Sequence, residues 1–283
     1  MTPAVAQPAA LVVGFDGSEQ DRQLATIAVD LAHAFGVRVE IVRAMDMASG
    51  DLPADGPSRV IHAAMAQRVA ERAREAEEQL AHLGQAMSVR VNGEIEVRWR
   101  MVEGRPFEAL RAAAEPAGSW IVVGARRART LLAHTVDQTL RHATRPVLVV
   151  PDGCTWRAKG TVLTGIDAGE LDALVLKTSE AIAARLQRRM GIVHVRTNGD
   201  ESAMLRVTEH VRAVAPSVSP AATLSVMRVE GSIAATLADH ARRVGACLLV
   251  VGTHGRRGVE RWVLGSTAES LAHRSTTPFL VVR

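Results

Sequence analysis

The chain has 283 residues, and at roughly 100–200 residues per domain that length favours two domains over one. Hydrophobic residues make up 47% and charged residues 23%, the balance of an ordinary globular protein, whereas 3% aromatics and no Tyr argue against a nucleic-acid binder built on base-stacking platforms. The formal net charge is +4, but the charges alternate in sign along the helical stretches, which points to solvated faces and not to a DNA-binding patch.

Met1 to Ala10 is rich in Ala and Pro and uncharged after the start, without the basic and apolar regions of a secretory signal. A flexible tail over 1–10 and a cytoplasmic protein are the expectations. The first strand is expected at Leu11–Asp16. A helix follows with Ser18 as its N-cap and Leu24, Ile27, Ala28, Leu31 and Phe35 at helical spacing, closed by Gly36. A strand is expected over Val37–Val42. A long helix over about 58–83 has Ile61, Met65, Val69, Ala73, Ala76, Leu80 and Leu83 along one stripe, which reads as core. Ile95–Val102 fits a third strand, Pro106–Ala114 a helix, Trp120–Gly124 a nearly all-apolar fourth strand, and Pro146–Pro151 a fifth. Pro151–Gly160 has linker composition.

The pattern then repeats. VLTGID at Val162–Asp167 matches LVVGFD at Leu11–Asp16. LLVVG at Leu248–Gly252 matches WIVVG at Trp120–Gly124, and PFLVV at Pro278–Val282 matches PVLVV at Pro146–Val150. Three ordered matches indicate an internal duplication. The second half is expected to carry a helix from Leu171 to about Gly191, a strand at Gly191–Val195, a helix at about 201–214, a strand at Thr223–Val229 and a helix at Ser232–Val244. Strands alternating with helices imply a parallel sheet covered on both faces. The fold class is therefore α/β: two tandem doubly wound, Rossmann-like domains, each with a five-stranded parallel sheet of order 3-2-1-4-5. The divisions are a domain at 11–151, a linker at 152–160 and a domain at 161–283. The fifth strands are candidates for edge pairing.

In such a sheet a ligand binds beyond the carboxyl ends of strands one and four. The first strands lead to Asp16 and Asp167, the fourth to Gly124 and Gly252. After Gly252 come Thr253, His254 and Gly255, then nine residues, then Gly265 and Ser266. Glycines let backbone N–H groups approach an anion without a Cβ between them. A helix starting at Ser266, with Glu269 as a capping-box partner, would offer free N–H donors and a positive dipole end to phosphate. Asp16 and Asp167 also suit plain turns, and His254 and Trp262 read as loop residues.

The spacing G-2x-G-9x-G-S between a strand and a helix resembles the ATP-binding motif of universal stress proteins. The resemblance covers 161–283 in layout and motif, and 11–151 in architecture. It implies ATP as the cofactor, with magnesium left open, Asp167 and Val195 at the adenosine end, Gly252 and Gly255 against ribose and phosphate, and Gly265, Ser266 and Thr267 on the phosphates. It also implies a stress-response role, a pseudo-dimer of the two halves within one chain, and a homodimer as a further possibility, with an unknown protein partner and with neither nucleic acid nor membrane. By the same count from Gly124 the first half has Arg127, Asp137 and Gln138 at the motif positions, leaving Asp16 and Gly124 as weaker candidates. A carboxylate about 4 Å from phosphate costs on the order of 4 kcal/mol at an effective dielectric near 20, against about 0.3–2 kcal/mol from a helix N-terminus. Poor ATP binding in the first half is therefore expected, with Arg127 pairing Asp137. No Walker A loop, nucleophile elbow or zincin motif is present, so no catalytic residue and no metal ligand are assigned. The alternatives are a nucleotide-free interaction module and a binder of cyclic AMP or another adenylate.

Overall fold

The computed structural model describes residues 7–45, 59–115, 118–125, 131–154, 156, 159–196, 202–219, 221–253 and 265–283, without the side chains of 59–66 and 131–134. In the first half the elements are β1 (Ala10–Gly14), α1 (Asp21–Phe35), β2 (Arg38–Met45), α2 (Arg59–Arg90), β3 (Val97–Glu103), α3 (Pro106–Ala114), β4 (Trp120–Ala125), α4 (Leu131–His142) and β5 (Val147–Pro151). The second half repeats them as β6 (Thr161–Ile166), α5 (Asp172–Arg185), β7 (Met190–Arg196), α6 (Ala203–Val214), β8 (Thr223–Arg228), α7 (Ile233–Arg243), β9 (Ala246–Gly252), α8 (Ser266–Arg274) and β10 (Phe279–Val282).

The strands form one sheet in the order β3-β2-β1-β4-β5-β10-β9-β6-β7-β8. Each half thus has the order 3-2-1-4-5, and all pairs within a half are parallel. The apolar runs of β4 and β9 sit next to β1 and β6, and every residue from Ala246 to Val251 is buried. A strand covered by helices on both faces has no polar side to show, which is why these runs do not alternate.

The fifth strands are not edges. Phe279, Leu280 and Val281 lie opposite Val149, Leu148 and Val147 in an antiparallel ladder. The halves therefore meet as a pseudo-dimer inside one sheet, whose outer strands are β3 and β8. Around the seam the guanidinium of Arg141 on α4 meets Glu269 on α8, and Arg283 donates to the carbonyl of Leu140. Burial holds the Arg283 guanidinium down to about 10.

Two expectations about helices change. The first helix starts at Asp21 behind Gln20, with no side-chain cap. Ser18 does not cap it: its N–H is donated to Oδ1 of Asp16 at 2.9 Å, an Asx turn. The long helix runs seven residues past 83 to Arg90. Its stripe is core only in the C-terminal part, where Ala76, Leu80 and Met87 are buried while Val69 is 38% exposed. Ile61 and Met65 of that stripe lie outside the described side chains. Gly84 on this helix lies under Trp99 of β3, and a Cβ there would come within 2.3 Å of the indole.

Candidate functional site

Both halves end their first strand in the same sequence device, Asp-x4-Asp: Asp16 with Asp21, and Asp167 with Asp172. The second aspartate of each pair opens the following helix and is buried, at 5% and 3% exposure. In the second half the N–H of Asp167 is donated to Oδ1 of Asp172 at 3.4 Å. The Nε2 of His210 on α6 stands 2.9 Å from Oδ2 of Asp172. Asp172 thus ties the β6–α5 turn, and with it Asp167, to a neighbouring helix. Ala168 in that turn takes φ +63°, a left-handed conformation that L residues adopt at a cost. Neither Asp172 nor His210 was singled out from the sequence, although the repeated Asp-x4-Asp spacing was there to be read.

Asp167 follows the last residue of β6, and β6 pairs directly with β9, so Asp167 and Gly252 lie at the same end of neighbouring strands. Ile166 pairs with His194, making Val195 the residue just past the end of the β6–β7 ladder. The side chain of Val195 is 8% exposed and belongs to the core, so its backbone is what faces this end of the sheet. At Gly252 an added Cβ would meet Val175 and Leu171 at ordinary contact distances of 3.4 and 3.5 Å. Internal packing does not require a glycine there.

The return to the next helix is short in space. The Thr253 N–H is donated to the Val282 carbonyl at 3.1 Å, and the Gly265 N–H to the Thr253 carbonyl at 2.9 Å. This closure sets the start of α8 against the end of β9. Gly265 is the N-cap, extended at φ −62° and ψ 135°, with no side-chain hydrogen bond. The N–H groups of the first turn, beginning with Ser266 and Thr267, therefore have no acceptor within the helix. Ser266 is exposed and Thr267 half-buried. The expected capping box is absent, because Glu269 turns to Arg141 across the seam. Gly255, His254 and Trp262 lie outside the described residues.

The first half differs in ways that the residue count from Gly124 misread. From Gly252 to Pro278 there are four more residues than from Gly124 to Pro146. Counted back from the fifth strand, the counterparts of Gly265, Ser266 and Thr267 are Ala133, His134 and Thr135, not residues around Asp137. The helix α4 already begins at Leu131, so these are its third to fifth residues, and of their N–H groups only that of Ala133 lacks an acceptor within the helix. Asp137 lies within α4 and faces α8, with Oδ1 3.9 Å from Nε2 of His273. It does not stand at the start of the helix, where the repulsion argument had put it, and that argument fails for this reason. Arg127 lies outside the described residues, and so does its expected pairing with Asp137. Gly124 has a packing explanation: a Cβ would come within 2.6 Å of Oε1 of Gln20, whose amide is fixed by a 2.7 Å bond to the Val150 carbonyl.

A cavity of about 440 Å³ opens at the ends of β1 and β4, lined by Asp16, Asp21, Arg43, Gly124 and apolar side chains. Arg43 lies over the ring of Phe15 at 5.2 Å and donates to Oε1 of Gln79 at 3.0 Å. Burial and the neighbouring Asp16 push the Asp21 carboxyl up to about 7, against the pull of backbone N–H groups at 16–18. Burial raises the thiols of Cys154 and Cys247 to about 12 and about 11, which keeps both protonated and unreactive. Among the described residues no group of three or more His, Cys, Asp or Glu side chains could hold a metal ion. Among them, too, no helix is long and apolar enough to cross a membrane.

Comparison with known proteins agrees with this architecture. The crystal structure of a universal stress protein from Archaeoglobus fulgidus DSM 4304 superposes with a TM-score of 0.73 at 21% identity, covering 98% of this chain and 97% of that one. The cytoplasmic domain of a prokaryotic cation chloride cotransporter also shares the fold, with a TM-score of 0.52 at 11% identity over 97% of this chain and 95% of that one. The universal stress protein YxiE of Bacillus subtilis (strain 168) is 24% identical over 144 residues, 43% of this chain and 97% of its own length. The model of the universal stress protein family matches twice, at residues 10–151 and 160–283. With the same domain repeated on either side of a single antiparallel seam, the chain belongs to the universal stress protein family and carries its domain in tandem.

Proposed function

We propose that this chain is a regulatory protein of the stress response that binds ATP in its second half. The observation that carries the reading is the Gly265–Thr253 closure, which turns the uncapped first turn of α8 toward the end of β9. Uncapped N–H groups and a positive dipole end suit phosphate, and no close contact within the protein demands a glycine at 252. In this reading Gly252, Gly255, Gly265, Ser266 and Thr267 hold the ribose and phosphates. Asp167 and the backbone of Val195 take the adenosine end, and Asp172 with His210 positions Asp167. The nucleotide supplies a triphosphate whose presence or hydrolysis state partners can read. The chain's part is to bind it and to couple it to a change of conformation, which requires different affinities in two states. The proposal does not extend to a magnesium ion held by protein carboxylates.

The first half, with its four-residue deletion and its helix started early, is read as a domain that does not bind ATP. The divisions 11–151, 152–160 and 161–283 belong to the same proposal. The test is calorimetric titration with ATP, AMP and cyclic AMP, and with ATP of a Gly265→Asp variant. ATP binding that weakens by at least tenfold in the variant, with the melting temperature kept, is expected. Wild-type affinity in the variant would remove the phosphate assignment. Binding of cyclic AMP in preference to ATP would replace the ligand.

A further inference from the structure

The joined sheet ends in two strands, β3 and β8, and their sequences treat the edge differently. β3 reads VRWRMVE and β8 reads TLSVMR. A free edge offers unpaired N–H and C=O groups to any other strand, and charged side chains are a common protection against that. On β3 the side chains of Arg98 and Arg100 stand out at 65% and 51% exposure, beside Glu96 and Glu40. On β8 the interior of the strand has no charge, and Arg228 comes last. β8 is the unguarded edge.

The direction of its backbone groups follows from the ladder with β7. Val229 donates its N–H inward, to the Arg196 carbonyl at 2.9 Å, and alternate residues of a strand turn their groups to opposite sides. Leu224, Val226 and Arg228 therefore point theirs away from β7, and no hydrogen bond from another described residue reaches them. The side chains of Leu224 and Val226 pack against the same core cluster as Val211 and Val214 of α6; Thr223, Ser225 and Met227 lie on the other face. The molecule already closes one pair of edges in this manner. At the seam, apolar residues of β5 and β10 meet in an antiparallel ladder, with α4 and α8 side by side above it.

We propose that β8 is a docking edge for a second copy of this chain, paired antiparallel about a twofold axis at Ser225. The strand fits itself, as a closed pair of identical subunits requires. With Ser225 opposite its own copy, Leu224 lies opposite Val226. That makes hydrogen-bonded pairs of residues whose groups point outward and sets apolar side chains against each other across the interface. Thr223 falls opposite Met227. The charge of Arg228 falls opposite Ala222, roughly 20 Å from its copy at about 3.3 Å per residue. The same pairing of β3 about Trp99 or Arg100 would set arginine against arginine, which repels. The axis keeps both α6 helices on one face of the joined sheet, and α6 carries Met204 and Leu205 at 46% and 62% exposure as further apolar surface. This edge takes no part in nucleotide binding and stands whether or not the second half holds ATP.

Sedimentation of the full chain across the micromolar range, without nucleotide, is expected to show a monomer–dimer equilibrium. Ser225→Lys sets like charges face to face at the axis and is expected to leave a monomer with unchanged far-ultraviolet circular dichroism. The native thiols of Cys154 and Cys247 are buried, so an introduced cysteine reports alone. Under mild oxidation Ser225→Cys is expected to form a covalent dimer, and Thr223→Cys, which faces Met227 of the copy, is not. A wild-type chain that stays monomeric throughout the range, a dimer that Ser225→Lys leaves intact, or cross-linking of Thr223→Cys as strong as that of Ser225→Cys would each overturn the proposal. Cross-linking of Arg98→Cys in place of Ser225→Cys would overturn it too, by moving the pairing to β3.

Discussion

Asp21 shows how one carboxyl group can set a pH dependence. In the unfolded chain it ionises near 3.8, and in the fold at about 7, chiefly because burial penalises the charge. Between those values the native state holds a proton that the unfolded state lacks, so stability falls as pH rises through that window and levels off above 7. The difference amounts to a cost on the order of 4 kcal/mol at pH 8. Asp21→Asn is therefore expected to raise the melting temperature at pH 8 by several degrees and to leave it nearly unchanged at pH 4, as a pair of thermal melts would show. An equal shift at both values would mean that packing and not charge governs the site. Asp167, Gly252 and Gly265 could be picked out because loop glycines and strand-end aspartates are local signals. The partners of Asp172 were not legible, because His210 is brought to it from 38 residues away and only the fold makes them neighbours.

At the scale of elements, the strands were readable almost residue by residue, since strands covered on both faces are unbroken apolar runs. Helix ends were less so. The Ser18 cap failed because an Asx turn from Asp16 competes for the same backbone. The stripe on α2 was taken for core along its full length, but periodicity records which residues share a face and not whether anything packs against it. Asp137 was misplaced because a fixed count from Gly124 ignores a deletion between strand and helix. The close approach of α2 and β3 makes a sharp prediction at Gly84. Alanine would gain about 1 kcal/mol of helix propensity, but its Cβ would drive into Trp99, and overpacking costs about 1–3 kcal/mol. Gly84→Ala is expected to destabilise, by up to about 2 kcal/mol net in chemical denaturation. Adding Trp99→Ala should make the same change favourable; no reversal would exclude the indole as the cause.

The whole molecule is a single sheet, and that has consequences neither half would have alone. Leu148 and Leu280 face each other at the seam and are both fully buried. Leu280→Ala is expected to cost about 2–5 kcal/mol and to lower one calorimetric transition that involves both halves; two separate transitions in the wild-type protein would show that the seam does not couple them. The duplication and the apolar fifth strands marked those strands as candidates for edge pairing, and the antiparallel β5–β10 ladder makes the two halves a pseudo-dimer. The two halves share a scaffold and differ at its mouth: one has a helix start without a side-chain cap at the end of β9, the other a buried acid beside a cavity. The most direct test of that asymmetry is the stoichiometry of ATP binding to the intact chain, measured by calorimetry on protein stripped of nucleotide. One ATP per chain, lost on Gly265→Asp, is the predicted result; two per chain, or none, would contradict it.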